Sequence, residues 1–241
     1  MKKYLTILSA LTLTLLCGCS KTDGDPTTKD FSINNTYTEL NVSHAFNVTV
    51  SDAVTQVTVT AGERIMPKVI VEEKDGELTI RLKSLSVAHS ELKAVIPYNA
   101  NLKDVDLSGA SEFHSQHPII APSVSIELSG ASSFYGEVEA TTELDLELSG
   151  ASDAALTGTV GLLDIDLSGS SEVKRTTSGN KYGLVCDRCE GDISGASTAY
   201  FHCDGAIAVS LSGSSDLHYT GNASTSGCST SGSSNVIHDV L

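Results

Sequence analysis

The sequence predicts an all-β fold, a solenoid of about seven coils of parallel strands preceded by a non-repetitive β segment. Three observations carry that prediction. A short phrase, most often Leu-Ser-Gly-Ala-Ser, recurs with its opening position at Leu107, Leu128, Leu148, Leu167, Ile193, Leu211 and, in degenerate form, Thr230. Successive openings lie 21, 20, 19, 26, 18 and 19 residues apart, the near-constant period of a chain whose repeats bury their apolar faces only against one another. The residues before each opening alternate apolar and polar, as in 124–128, 144–148, 163–167 and 207–211, which is the pattern of a strand with one buried and one wet face. No apolar stripe keeps a 3.6-residue period, so only a single helical turn is expected, at 62–67.

From the start of the chain, Met1-Lys2-Lys3 leads into an apolar run too short to span a bilayer and then Leu16-Cys17-Gly18-Cys19. A basic start, an apolar core and small residues before a cleavage point make a secretory signal. Residues 1–19 resemble a bacterial lipoprotein signal, with Cys19 as the acylated residue. That resemblance implies attachment to the outer membrane through a lipid, facing either the cell surface or the periplasm. Ordinary secretion, with Cys19 as a plain thiol, is the alternative. Residues 20–30 are polar and read as a flexible tether.

Residues 31–103 are β throughout. Segments 46–50 and 56–60 alternate, and 68–73 is joined to 77–82 through Lys74-Asp75-Gly76; Asp-Gly between two alternating runs predicts a hairpin. Segment 92–96 supplies one more strand. From residue 104 onward each coil needs a corner after its strand, and the Ser-Gly of each phrase supplies it, since Gly takes positive φ freely. An apolar residue returns six places after the opening at Phe113, Phe134, Val173, Leu217 and Val236, predicting a second short strand per coil.

Phe46-x-Val48-x-Val50, the strand pair around Asp75-Gly76 and the serial Leu-Ser-Gly-Ala-Ser phrases together resemble the head GIN domain family, whose members carry the label of auto-transporter adhesins. The resemblance runs from about Phe31 to the C-terminus. It implies a single-stranded right-handed β-helix capped by an N-terminal β segment of the same domain, and it brings no catalytic residues with it.

Charge sharpens the picture. Residues 1–103 hold 11 basic and 11 acidic side chains, whereas 104–241 hold four basic and 19 acidic, so the whole net charge of −15 lies in the repeats. Nucleic acid and anionic lipid surfaces are disfavoured as partners. One residue before the openings stand Asp106, Glu127, Glu147, Asp166 and Asp192, and three before stand Asp104, Asp145, Asp164 and Glu190. Both columns should point outward as adjacent acidic ladders. Unit charges about 4.8 Å apart repel by about 0.9 kcal/mol in bulk water. Such a ladder either tolerates that in solvent or recruits a hard cation such as Ca²⁺; the solvated face is the simpler expectation.

The four basic residues of the repeats, Lys174, Arg175, Lys181 and Arg188, all fall in the 26-residue gap together with Tyr182. They read as a basic, aromatic loop that grips an anionic partner or folds back to neutralise the ladder. Cys186 and Cys203 hold nearly equivalent places in adjacent coils and are the candidate disulfide, while Cys189 and Cys228 fall in interior apolar columns. Cys186-x-x-Cys189 with His202-Cys203 has zinc-ligand types but lacks a second paired motif, and His114-x-x-His117 reads as loop polarity. No firm metal or cofactor emerges.

Carboxylates without accompanying bases, and the lack of a Gly-x-Ser-x-Gly or phosphate-cradling motif, speak against an enzyme. The leading expectation is an envelope lipoprotein acting as a non-catalytic binding or adhesion module toward a glycan or protein, through the acidic face and the aromatics Tyr135, Tyr200 and Tyr219. A periplasm-facing structural or assembly component is the alternative.

Overall fold

The computed structural model describes residues 23–83 and 91–241; the signal segment and Cys19 lie outside the described residues. The N-terminal part contributes β1 (Pro26–Phe31), β2 (Glu39–Val42), β3 (Phe46–Ser51), β4 (Val57–Gly62), β5 (Val69–Lys74), β6 (Glu77–Leu82) and β7 (Leu92–Pro97). The repeats contribute β8 (Asp104–Leu107), β9 (Glu112–His114), β10 (Ile119–Leu128), β11 (Ser133–Leu148), β12 (Asp153–Leu167), β13 (Glu172–Val173), β14 (Thr177–Ser178), β15 (Lys181–Tyr182), β16 (Leu184–Ile193), β17 (Thr198–Leu211), β18 (Asp216–Thr220), β19 (Ser229–Thr230) and β20 (Asn235–His238). Eighteen strands form one large mixed sheet, and β14–β15 form a separate two-stranded hairpin. The one helical turn, a 3₁₀ turn at Met66–Lys68, overlaps the expected position.

Two parallel series run through the sheet. In the first, β6, β2, β8 and the C-terminal halves of β10, β11, β12, β16 and β17 follow one another to β19. In the second, β7, β3 and β9 lead through β11, β12, β13, β17 and β18 to β20. The opening residues of the phrase pair in register from Leu107 to Thr230. From Leu107 to Leu211 they are buried; Thr230 is exposed. Repeat length therefore equals the chain needed to return to the same column. The apolar returns line a second column, Val48, Phe113, Phe134, Ala154, Val173, Ala199, Leu217 and Val236. Strands of the middle repeats are longer than the five-residue alternation implies, because β11 and β12 pass through a corner as continuous strands with a register shift after Ala140.

Within the large sheet, antiparallel pairing is confined to the N-terminal end, in β1–β4, β4–β7 and β5–β6. The β5–β6 hairpin turns at Asp75 and Gly76, whose φ values of 53° and 91° suit the tight turn. Two sequence expectations need correction here. Residues 26–30 are strand rather than tether, because β1 finds the open edge of β4 and fixes Asp30, which accepts from the Thr58 hydroxyl at 2.8 Å. The N-terminal segment is also not wholly non-repetitive. Val42-Ser43-His44-Ala45 occupies the place of a phrase, with Val42 opposite Leu107, and it escaped notice because His44 replaces the glycine.

The corner explains the phrase residue by residue. Gly150 has φ +75°, and a Cβ on it would lie 2.4 Å from the Gly130 carbonyl oxygen of the preceding rung. That same oxygen accepts from the Ala151 N–H at 2.8 Å. The final serine is buried, and its hydroxyl donates to the carbonyl three residues back: Ser132 to Ser129 at 2.8 Å, Ser152 to Ser149 at 2.9 Å and Ser171 to Ser168 at 2.8 Å. A buried hydroxyl with a partner avoids the desolvation cost of an unpaired one. His44 takes φ 70° without glycine, at a rung with a phrase on one side and the N-terminal hairpin, rather than a second phrase, on the other.

Candidate functional site

Three surfaces hold the residues singled out from the sequence. On the first series of strands the two acidic columns align as expected: Asp106, Glu127, Glu147, Asp166 and Asp192 in one, Asp104, Ser125, Asp145, Asp164 and Glu190 in the other. The structure lengthens the second column with Glu39 and Glu77, which the degenerate phrase at Val42 could have revealed. Asn41 stands beside Asp106 and donates to it at 3.0 Å. Lys103 pairs with Asp104 at 3.1 Å. A groove of about 160 Å³ lies along Asp106, Glu127, Glu147 and Asp166. Partial burial, and then repulsion from nearby carboxylates, holds Glu39, Asp106, Glu127, Asp145 and Glu147 above the ordinary carboxylate range. Among the described residues no three His, Cys, Asp or Glu converge on a point that could hold a metal ion. Strand geometry spreads the carboxylates at most two to a rung, one in each column, so the Ca²⁺ site envisaged on the ladder is not assembled.

The basic gap departs from expectation. Lys174 reaches Asp153 at 3.1 Å and Glu172 at 2.5 Å, carboxylates of the second strand series rather than of the ladder. Arg175 lies over the Tyr182 ring at 5.8 Å. Tyr182 is buried, not displayed: its hydroxyl donates to Asp239, and it meets Tyr200 edge-on at 5.5 Å. Lys181 sits in the β14–β15 hairpin, while Arg188 belongs to β16, opposite Leu162 and Ala206. No basic gripping loop is brought together: Lys174 and Arg175 turn to partners close by, and the exposed hairpin tip at 177–180 carries no basic residue.

Cys186 lies directly opposite Cys203, as expected, but both are buried free thiols rather than a disulfide. Cys189 lies between Leu163 and Ile207 in the interior, where burial pushes its thiol well up. Cys228 is half-buried, its thiol aimed at the Ile207 carbonyl.

The third surface is aromatic. His114 and Tyr135 stack at 4.5 Å with planes 2° apart, and Tyr135 is 38% exposed. His117 pairs with Asp52 at 3.0 Å and packs on Tyr98 at 4.5 Å. Tyr200 stacks on His218 at 4.6 Å, and Tyr219 is buried against His238. Of the three tyrosines expected outside, Tyr135 is exposed, Tyr200 half-buried and Tyr219 buried. Rings on successive strands stack because parallel neighbours are about 4.8 Å apart.

The family described as putative auto-transporter adhesin, head GIN domain, matches residues 36–223. The chain belongs to that family. Among solved structures the head GIN domain here is similar to a putative adhesin from Bacteroides fragilis, at 16% identity and a TM-score of 0.75 over 89% of this chain and 97% of that one. A putative adhesin from Parabacteroides merdae shares 18% identity with a TM-score of 0.68, over 90% and 97% of the two chains. A putative lipid binding protein from Parabacteroides distasonis shares 20% identity with a TM-score of 0.66, over 90% and 97%. At these identities the likeness is one of fold. Curated proteins yield no match.

The ladder of this head GIN domain has a measurable consequence. A carboxylate raised in the folded state is more easily protonated there than in the unfolded chain, so its contribution grows as pH falls from above the folded pKa to the unfolded value near 4. Asp204 and Asp239 act oppositely. Hydrogen bonds from the Asn222 backbone and His202 lower Asp204; burial alone would raise Asp239, but bonds from Tyr182 and His218 outweigh it. Their stability is lost only below the unfolded values. Thermal melts across pH should therefore peak at about pH 4–5. Glu147→Gln removes one exposed charge from the middle of the ladder and should stabilise by about 0.5 kcal/mol at pH 7 in low salt, an effect that added salt erases.

Proposed function

We propose that the chain is a lipid-anchored, non-catalytic adhesion module of the cell envelope, a right-handed single-stranded β-helix held to the outer membrane through Cys19 and presenting its ladder and side faces outward. The observation that carries this reading is the registration of side-chain columns over rung after rung, kept on either side of the shifts at the corners. Columns of that kind make a long, stiff, ruled surface suited to contact with an extended partner. Membership of a family labelled adhesin supports it. The carboxylate columns favour a neutral or cationic partner, glycan or protein, over nucleic acid.

The test is protease accessibility on intact cells, with a periplasmic protein as control. Cleavage on whole cells while the control survives is the expected result. Protection until the envelope is breached would overturn surface adhesion. It would favour a periplasm-facing component assembling through the terminal rung, where Ser229 and Thr230 are exposed.

A further inference from the structure

The stack of His114 on Tyr135 is interrupted on both sides. Along its column the neighbours are Thr49 before His114 and Ala155 after Tyr135. Ala155 carries only a methyl group, so the outer face of the Tyr135 ring has no ring above it. On the following rung Lys174 is turned toward Asp153 and Glu172, away from that space. The hollow opens into a groove of about 730 Å³, whose lining includes Gln116, Glu137, Ala155 and Thr157 beside the two rings, a volume in the range of small-molecule sites.

We infer that this hollow is a subsite for one neutral pyranose ring, seated with its C–H face on Tyr135 over Ala155. The inference rests on the adhesion reading only in that it supplies the ligand class. One missing member of a column about 4.8 Å in repeat leaves the thickness of a single ring. The face it would meet is aromatic and apolar, while its rim would meet the Gln116 amide, the Thr157 hydroxyl and the Glu137 carboxylate. Those groups match hydroxyls, which donate and accept. A carboxylate with no Lys or Arg in the lining disfavours an acidic sugar. An aromatic peptide side chain would leave the polar rim unused.

The purified full-length chain should be titrated with immobilised neutral hexose oligosaccharides of the gluco, galacto and manno series, alongside uronic-acid and sialylated counterparts, a tyrosine-rich peptide and choline. Binding to a neutral series, without binding to the acidic ones, is expected. Tyr135→Ala should weaken it at least about tenfold. Ala155→Phe fills the hollow and completes the stack, so it should abolish binding while leaving the melting temperature unchanged or higher. Preference for the peptide, choline or acidic sugars, no sugar binding by the folded protein, or binding that survives Ala155→Phe would overturn the subsite. These outcomes concern the purified protein, so they are independent of which side of the membrane the cell experiment finds it on.

Discussion

Gly150→Ala should destabilise the protein by about 4 kcal/mol or more, while Gly109→Ala should cost only about 1–2 kcal/mol. Both glycines open a corner at φ near +77°, and strain in the left-handed region applies equally to each. They differ in what lies beneath. At Gly150 a Cβ would stand 2.4 Å from the Gly130 carbonyl oxygen, and that oxygen is fixed by its bond from Ala151. Relief requires the two rungs to part at the corner, which breaks ladder bonds on either side. At Gly109 the nearest atom is the His44 nitrogen at 3.4 Å, an ordinary contact. Chemical denaturation of the pair separates the two causes. Equal losses would mean that backbone strain alone explains the repeated glycine, and that close stacking does not.

Phe134→Ala should cost about 3–5 kcal/mol. Phe134 is wholly buried and stacks on Phe113 at 5.1 Å, and its other neighbour in the column is only Ala154. The large ring therefore fills width that the next rung leaves empty. Gly136 leaves the ring its room, since a Cβ there would press on it at 3.1 Å. Truncation leaves a cavity lined by backbone that is locked into ladders on both sides and cannot collapse. Phe134→Leu, which retains most of the volume, should lose less than half as much. Thermal unfolding of the two variants checks the ordering.

The repeats were legible because the phrase carries its own geometry: Leu128, Leu148 and Leu167 mark one interior column, and a period of about 20 returns the chain to it. The ladder carboxylates were legible for the same reason, being fixed at one and three places before each opening. What escaped was wherever the phrase decayed. Val42-Ser43-His44-Ala45 lacks the glycine, so Glu39 and Glu77 went unrecognised as ladder members. Tyr182 was misplaced because sequence shows that residues are extra but not where they pack; its hydroxyl partner Asp239 lies in another strand region far along the chain. The disulfide expectation followed from register, which was right for Cys186 and Cys203, yet register alone does not decide between two thiols and a bond. The hollow beside Tyr135 needs two columns read together, a ring in one rung and a methyl in the next.

In the order β6, β2, β8 the first rung is flanked on both sides by strands that follow it in sequence, whereas each rung from β10 to β17 lies on the one before it in the chain. Rung number is thus free to vary at the far end while the near end stays fixed. Each added or deleted circuit of about 20 residues changes height by about 4.8 Å and leaves the surviving corners untouched. Inheritance by whole-repeat duplication would tune the length of the sheet, making its extent a quantity set by counting rather than by redesign.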